Sequence, residues 1–281
     1  MPRLLVLDID GTLLDPSDIV TPVVHEAIAA SRAHGVEVAL ATGRRLRSAR
    51  RIVEEVGIRL PLVLSNGALV WSTELEQPMN EIAFTPELLH GVVDGALQAG
   101  LAPVLLLGPG GGERVVVPQD PPQAEFVRAF VNSRIGEVCH VAWDEMGDVS
   151  DVLTVDVFGP EEELRPLTER FSAAGYSVFH SGPLGWEADP PHWAANVHMP
   201  GVSKAHGVAL LAADLGLTMA DVVAVGDGEN DMPLLEAAGL GVAMGNASEE
   251  VRMRADAVVR GHDEDGVAEA IERFVLGREA I

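Results

Sequence analysis

Short apolar runs alternate with helix-period segments at both ends of the chain. Residues 4–7 (LLVL) form the continuous apolar run expected of a strand buried on both faces. Thr21-Pro22 then offers an N-cap followed by proline at the first helical position, and Gly35 ends that helix. The pattern predicts a second strand over 36–41, a helix over 46–56 closed by Gly57, and a third strand over 61–64. Successive strand–helix–strand crossovers imply a parallel sheet covered by helices. The rhythm returns late, with a helix over 203–215 stopped by Gly216, a strand over 222–225 and a helix over 231–238. Short strands over 241–243 and 257–259 and a last helix over 266–275 complete it.

The middle differs. A helix over 85–99 is capped by Thr85-Pro86, and strands are predicted over 103–107, 115–117, 152–158 and 176–180, with a helix over 161–174. The GPGGG tract at 108–112 reads as a hairpin tip, and Pro121-Pro122 as a further break. These segments predict a separate α/β unit, 84–185, inserted between the two halves, 1–83 and 186–281, of one core domain.

Composition narrows the function. A chain of 281 residues with 47% hydrophobic content suffices for one large domain or two modest ones. No apolar run approaches the roughly 18–20 residues of a membrane helix. LLVL is too short for a secretory h-region and runs straight into Asp8, so a cytoplasmic protein is expected. The net charge of −24 argues against nucleic acid as a partner. The single cysteine, Cys139, rules out an internal disulfide and any multi-cysteine metal site, and is expected to be a small core residue. Of the 19 basic residues all but Lys204 are arginine. One lysine in such a background suggests a place where a compact point charge serves and a planar fork does not.

Four segments at predicted strand ends carry chemistry. Asp8-Ile9-Asp10-Gly11-Thr12 follows the first strand. Carboxylates two apart in an extended chain share a face, so Asp8 would attack phosphorus and Asp10 would serve as acid, then base. Thr42-Gly43-Arg44 ends the second strand and offers a hydroxyl, an open backbone N–H and a guanidinium to phosphate oxygens. Ser203 is an N-cap candidate that puts Lys204 in the first helical turn, where anions are favoured. Gly226-Asp227-Gly228-Glu229-Asn230-Asp231 follows the 222–225 strand. Its two aspartates four apart suit Mg²⁺, which demands oxygen ligands. Asp8 and Asp227 would bind the ion directly and Asp10 through its carbonyl. Asp231 would be a ligand or hold a bound water, and Asn230 would donate to phosphate.

Other signals are weaker. Asn66, in Ser65-Asn66-Gly67, either lines the pocket or belongs to a plain turn. Arg45, Arg47, Arg50 and Arg51 read as a solvated helix face. His180, His192, His198 and His206 share no metal-ligand spacing and read as surface or cap residues. The chain has no GxSxG, CxxC or HExxH motif, and GPGGG lacks the Lys-Ser/Thr of a P-loop.

DIDGTLL (8–14), ATGR (41–44), SNGA (65–68), GVSK (201–204), GDGENDMPLL (226–235) and GVAMGNAS (241–248) together resemble the haloacid dehalogenase superfamily, in its Cof-type sugar-phosphatase branch. The resemblance implies a Rossmann-like α/β core with an inserted, mobile α/β cap. It also implies Asp8 as nucleophile, Asp10 as acid/base, Thr42 and Lys204 in the phosphate site, Asp227 as metal ligand, Asn230 and Asp231 completing the site, and Gly43 and Arg44 on substrate. The 186–199 segment departs from the family's regular strand, being rich in Pro, Trp and His, and Trp186, His192 and Trp193 are candidates for shaping the substrate pocket.

The expected activity is Mg²⁺-dependent hydrolysis of a small phosphorylated metabolite, sugar phosphates first among them, through an aspartyl-phosphate intermediate, with a monomer or homodimer equally compatible. A phosphomutase or phosphotransferase would use the same core. A non-catalytic phospho-acceptor or phosphosugar-binding protein would have little use for Asp10.

Overall fold

The computed structural model describes residues 2–121, 127–128, 131, 137–182 and 192–278. In chain order the strands are β1 (Leu4–Leu7), β2 (Glu37–Leu40), β3 (Leu62–Leu64), β4 (Leu69–Ser72), β5 (Gln77–Glu81), β6 (Pro103–Leu107) and β7 (Val115–Pro118). There follow β8 (Val138–Val141), β9 (Val152–Pro160), β10 (Ser177–Ser181), β11 (His192–His198), β12 (Val222–Gly226), β13 (Leu240–Ala243) and β14 (Ala257–Val258). Tertiary contacts divide the chain into two units, one of residues 1–44, 50–80 and 203–281, the other of 45–49 and 81–202.

The first unit is built on a parallel sheet. Among the described residues its order is β14-β13-β12-β1-β2, and a parallel bridge from Ala41 to Val63 carries the arrangement on toward β3. β1 is central and its four residues are fully buried, which is why LLVL shows no alternation. Leu4 and Val6 pack with Val208, Leu211, Leu234 and Leu235 from the helices α5 (Lys204–Asp214) and α6 (Met232–Ala237). At the start of α1 (Pro22–Ala33), the Thr21 hydroxyl accepts from Val24 N–H, with proline at the first helical position, as the sequence predicts. Helix α2 (Leu46–Val56) has the predicted bounds. The β3-β4-β5 ribbon was not predicted beyond its first strand.

The second unit carries a sheet of order β10-β11-β9-β6-β7-β8. The GPGGG tract joins the antiparallel pair β6 and β7, as expected of a hairpin tip. Helices α3 (Pro86–Gln98) and α4 (Glu161–Ala173) cover one face through Leu89, Val92, Leu164 and Phe171. The expected return to the core at residue 186 is not where the contacts change. Strand β11 pairs with β9 on one side and β10 on the other, so the second unit runs to Val202. Its sequence, HWAANVH, is poor in β-branched residues; long-range pairing decides its conformation.

Several readings are corrected here. His192 and His198 are buried, not surface residues. Cys139 is half-buried at the edge of the core. Arg45 is buried, with Nη1 donating to the Glu113 carbonyl at 2.8 Å, so it is not on a solvated face. Trp193 packs half-buried against the second unit's core, while Trp186 lies outside the described residues. Among the described residues no helix is long and apolar enough to cross a membrane.

Candidate active site

Register places the chemistry at one level. Leu7 at the end of β1 pairs with Leu40 of β2 and Val225 of β12, so Asp8, Thr42 and Asp227 all emerge past the carboxyl ends of adjacent parallel strands. This is where open α/β sheets bind ligands. Asp8 N–H still donates to the Val225 carbonyl at 3.0 Å. Asp8 and Asp10 both keep extended backbone, and Gly11 then turns the chain with φ +72°. A side chain at Gly11 would run into the Asp227 carboxylate, so glycine is required there for space as well as conformation.

Ser203 caps α5 by accepting from His206 N–H, which fixes Lys204 at the first helical position. Lys204 is 0% exposed, and Nζ donates to Asp8 Oδ1 at 2.8 Å and to Asp231 Oδ1 at 2.6 Å. Oxygens of Asp8, Asp227 and Asp231 lie within 4.8 Å of one another. Burial pushes the Asp8 carboxyl well above the usual carboxylate range, the Asp231 and Asp227 charges add to this, and Lys204 opposes it. Burial first, then Asp231, raises Asp227 to about 6. Burial alone would lower the Lys204 ammonium, but attraction and hydrogen bonds from Asp231 and Asp8 outweigh it and raise it. The carboxyls rise chiefly because they are buried, with their mutual repulsion adding to it, and the ammonium rises because Asp231 and Asp8 face it. Hard oxygen donors with unneutralised charge fit a divalent cation.

The three carboxylates are not equivalent. Asp231 Oδ2 accepts from the N–H groups of Asp227 (3.1 Å) and Gly228 (2.9 Å), while its Oδ1 meets Lys204. Asp231 therefore ties the β12 loop to the lysine. Asp227 Oδ1 accepts from the Thr12 hydroxyl at 2.8 Å, and Asn246 Nδ2 reaches the Gly11 carbonyl at 2.9 Å and Asp227 Oδ2 at 3.4 Å. The Asp10 carboxylate lies outside the metal-competent group. It is 59% exposed and gripped by the Arg44 fork, with Nε to Oδ2 at 2.8 Å and Nη2 to Oδ1 at 2.6 Å. That hydrogen bond is the chief cause of the raised Arg44 pKa.

Thr42 is buried, and its Oγ1 accepts from Arg44 N–H at 3.1 Å, which leaves the hydroxyl proton to donate elsewhere. Gly43 is exposed beside it. Asn230 Nδ2 donates to Asn66 Oδ1 at 2.9 Å. The structure thus gathers Asp8, Lys204, Asp227 and Asp231 by direct contact, and links Asp10 to Arg44 and Asn230 to Asn66.

A family model described as haloacid dehalogenase-like hydrolase matches residues 5–271. The chain belongs to that family. Among haloacid dehalogenase-like relatives, a phosphoglycolate phosphatase of Natronomonas pharaonis is 31% identical over 96% of this chain and 96% of its own. The 5-amino-6-(5-phospho-D-ribitylamino)uracil phosphatase YcsE of Bacillus subtilis is 28% identical over 98% of this chain and 96% of its own. A solved structure of BT1666, from a study of phosphatases of the haloalkanoate (HAD) superfamily in Bacteroides thetaiotaomicron, has a TM-score of 0.80 at 29% identity. It covers 98% of this chain and 95% of that one. The expected family and fold class, a Rossmann-like core with an inserted unit, are borne out.

Sequence reasoning missed Thr12 and Asn246 and left Asn66 undecided. Thr12 was visible as the last residue of DGT, and Asn246 within GVAMGNAS, but neither spacing shows which carboxylate a donor will meet.

Proposed function

We propose that this chain is a Mg²⁺-dependent phosphatase of small phosphorylated metabolites, with Asp8 as nucleophile. What carries the reading is the buried Lys204 ammonium shared between Asp8 and Asp231 beside Asp227. That arrangement neutralises a carboxylate that must approach an anionic phosphoryl group. Asp8, Asp227 and the Asp10 carbonyl would hold Mg²⁺, with Asp231 orienting the loop and its water. The ion would offset charge on the equatorial phosphoryl oxygens.

The residues divide the reaction between them. An Asp8 oxygen attacks phosphorus in line, and the phosphorus–oxygen bond to the leaving alcohol breaks. Asp10 gives its proton to that oxygen. Asp10 then takes a proton from water, whose oxygen attacks the phosphorus of the aspartyl-phosphate. Inorganic phosphate departs and the Asp8 carboxylate is restored. Thr42, Gly43 and Asn230 donate to phosphoryl oxygens throughout, and Arg44 passes from Asp10 to substrate.

The named relatives are phosphatases of phosphoglycolate and of a phosphoribitylamino-uracil, substrates that share little beyond a phosphomonoester. This favours a phosphomonoester at the core and a leaving group chosen elsewhere. A soluble substrate of this kind and the absence of a spanning helix among the described residues support a cytoplasmic site of action. The test is phosphate release over a phosphometabolite panel with and without Mg²⁺. Release by wild type and none by Asp8→Asn is expected; equal release by both would refute the nucleophile.

A further inference from the structure

Three consecutive residues at the end of β3 hold left-handed backbone: Ser65 at φ +48°, Asn66 at +55° and Gly67 at +95°. Ser65 and Asn66 each carry a Cβ there and are each 2% exposed. Such conformations are disfavoured and persist only where the surroundings enforce them. What enforces them is the rest of the phosphate site. Ser65 N–H donates to the Arg44 carbonyl and Asn66 N–H to the Thr42 carbonyl, both at 3.0 Å. Asn66 Oδ1 accepts from Asn230 and lies 3.0 Å from where a methyl on Gly43 would sit. A side chain on Gly67 would collide with the carbonyl of Ser203, the residue before Lys204. One turn therefore touches the loops that carry Thr42, Lys204 and Asn230.

We propose that the Ser65–Gly67 turn, acting through Asn66, positions the phosphate-binding donors of this site. The proposal rests on the phosphatase reading above. Asn66 Oδ1 engages one N–H of the Asn230 amide, which sets the amide plane and so the direction of its second N–H. The backbone of the turn fixes the height of the Thr42–Arg44 loop through two hydrogen bonds. A turn that needed only a positive φ would be satisfied by glycine at the surface. This one is buried, and its side chain is committed to a residue of the site. Asn66 is a positioning residue, acting on phosphate through Asn230.

The decisive variant is Asn66→Gly, which relieves the backbone and removes the side-chain amide whose oxygen accepts from Asn230. Inorganic phosphate affinity would be measured by calorimetry with Mg²⁺ present, and turnover with p-nitrophenyl phosphate. Asn66→Gly is expected to melt at or above the wild-type temperature yet bind phosphate about tenfold more weakly, the scale of one misdirected hydrogen bond. In an Asn230→Ala background the same change is expected to cost nothing further. Unaltered phosphate affinity in Asn66→Gly, or additive losses in the double variant, overturns the proposal. Asn66→Asp keeps an acceptor within reach of Asn230, so Asn230→Ala should weaken phosphate there as it does in wild type; no such loss also overturns it. A wild type that binds phosphate but releases none from this ester or from any ester of the phosphometabolite panel would refute the phosphatase reading, leaving the phosphate titrations to judge the turn. A wild type that turns over, with Asn66→Gly matching it in both measurements, would refute only the turn.

Discussion

Lys204 Nζ lies 2.8 Å from Asp8 Oδ1, in a pair whose lysine has no exposed side-chain surface. The two residues are 196 positions apart, so this contact records how the two ends of the core meet. Removing the ammonium leaves Asp8 and Asp231 buried side by side without compensation. Lys204→Met is therefore expected to lower unfolding free energy by about 3–5 kcal/mol and to abolish phosphate release. Urea unfolding and a phosphate-release assay check both halves. Lys204→Arg is expected to be nearly as damaging, because a fork does not fit a space shaped for a point charge.

Asp227 should trade stability for ion binding. Its folded carboxyl titrates near 6, above the ordinary 3.8. The folded state thus holds the extra proton between those values, and stability contributed by the protonated form is lost as pH rises through the window. At pH 7 the metal-free protein bears the full cost. Asp227→Asn is expected to stabilise the metal-free chain at pH 7 by about 2 kcal/mol and to abolish its thermal stabilisation by Mg²⁺. Melting curves with chelator and with excess Mg²⁺ give both numbers; a destabilised variant that still gains from Mg²⁺ would contradict the assignment.

The Arg44–Asp10 pair behaves differently. Asp10 is 59% exposed, so the fork contributes under about 1 kcal/mol to stability despite its good geometry. Arg44→Ala is expected to leave the thermal midpoint near wild type while raising KM and lowering kcat, since the proposed acid, Asp10, would no longer be held and the phosphoryl group would lose a donor. Steady-state kinetics beside a melting curve separate the two effects.

His198 predicts an acid sensitivity that has nothing to do with the site. It is fully buried in the second unit, and burial lowers its pKa to about 4, against a backbone hydrogen bond to Leu153 that raises it. Between pH 6.5 and 4 the unfolded chain takes up a proton that the folded chain refuses, so stability falls as pH falls through that range, by up to about 3 kcal/mol. His198→Phe should flatten the slope of stability against pH there, as read by denaturant midpoints at successive pH values.

Much of this was legible in the chain because several local signals agreed. Thr21-Pro22, Thr85-Pro86 and Ser203 each marked a helix start that the structure keeps, and LLVL announced a central strand. The four segments of the candidate site were visible because each is short and lies near a predicted strand end. What escaped was whatever depends on a distant partner. Strand β11 is defined by β9 and β10, not by its own residues. The burial of His198, the commitment of Asp231 to two backbone N–H groups, and the Asn66–Asn230 contact are likewise products of chain meeting chain across long separations.

The central position of β1 has a consequence for synthesis. Asp8 leaves the ribosome 196 residues ahead of Lys204, whose ammonium it meets, and one strand flanking β1 begins only at Val222. A nascent chain halted before residue 200 thus displays the Asp8 carboxylate without the Lys204 ammonium and leaves one edge of β1 open. The candidate site is complete only once residues 204–231 dock, so products truncated before them are expected to release no phosphate and to be prone to strand-edge association.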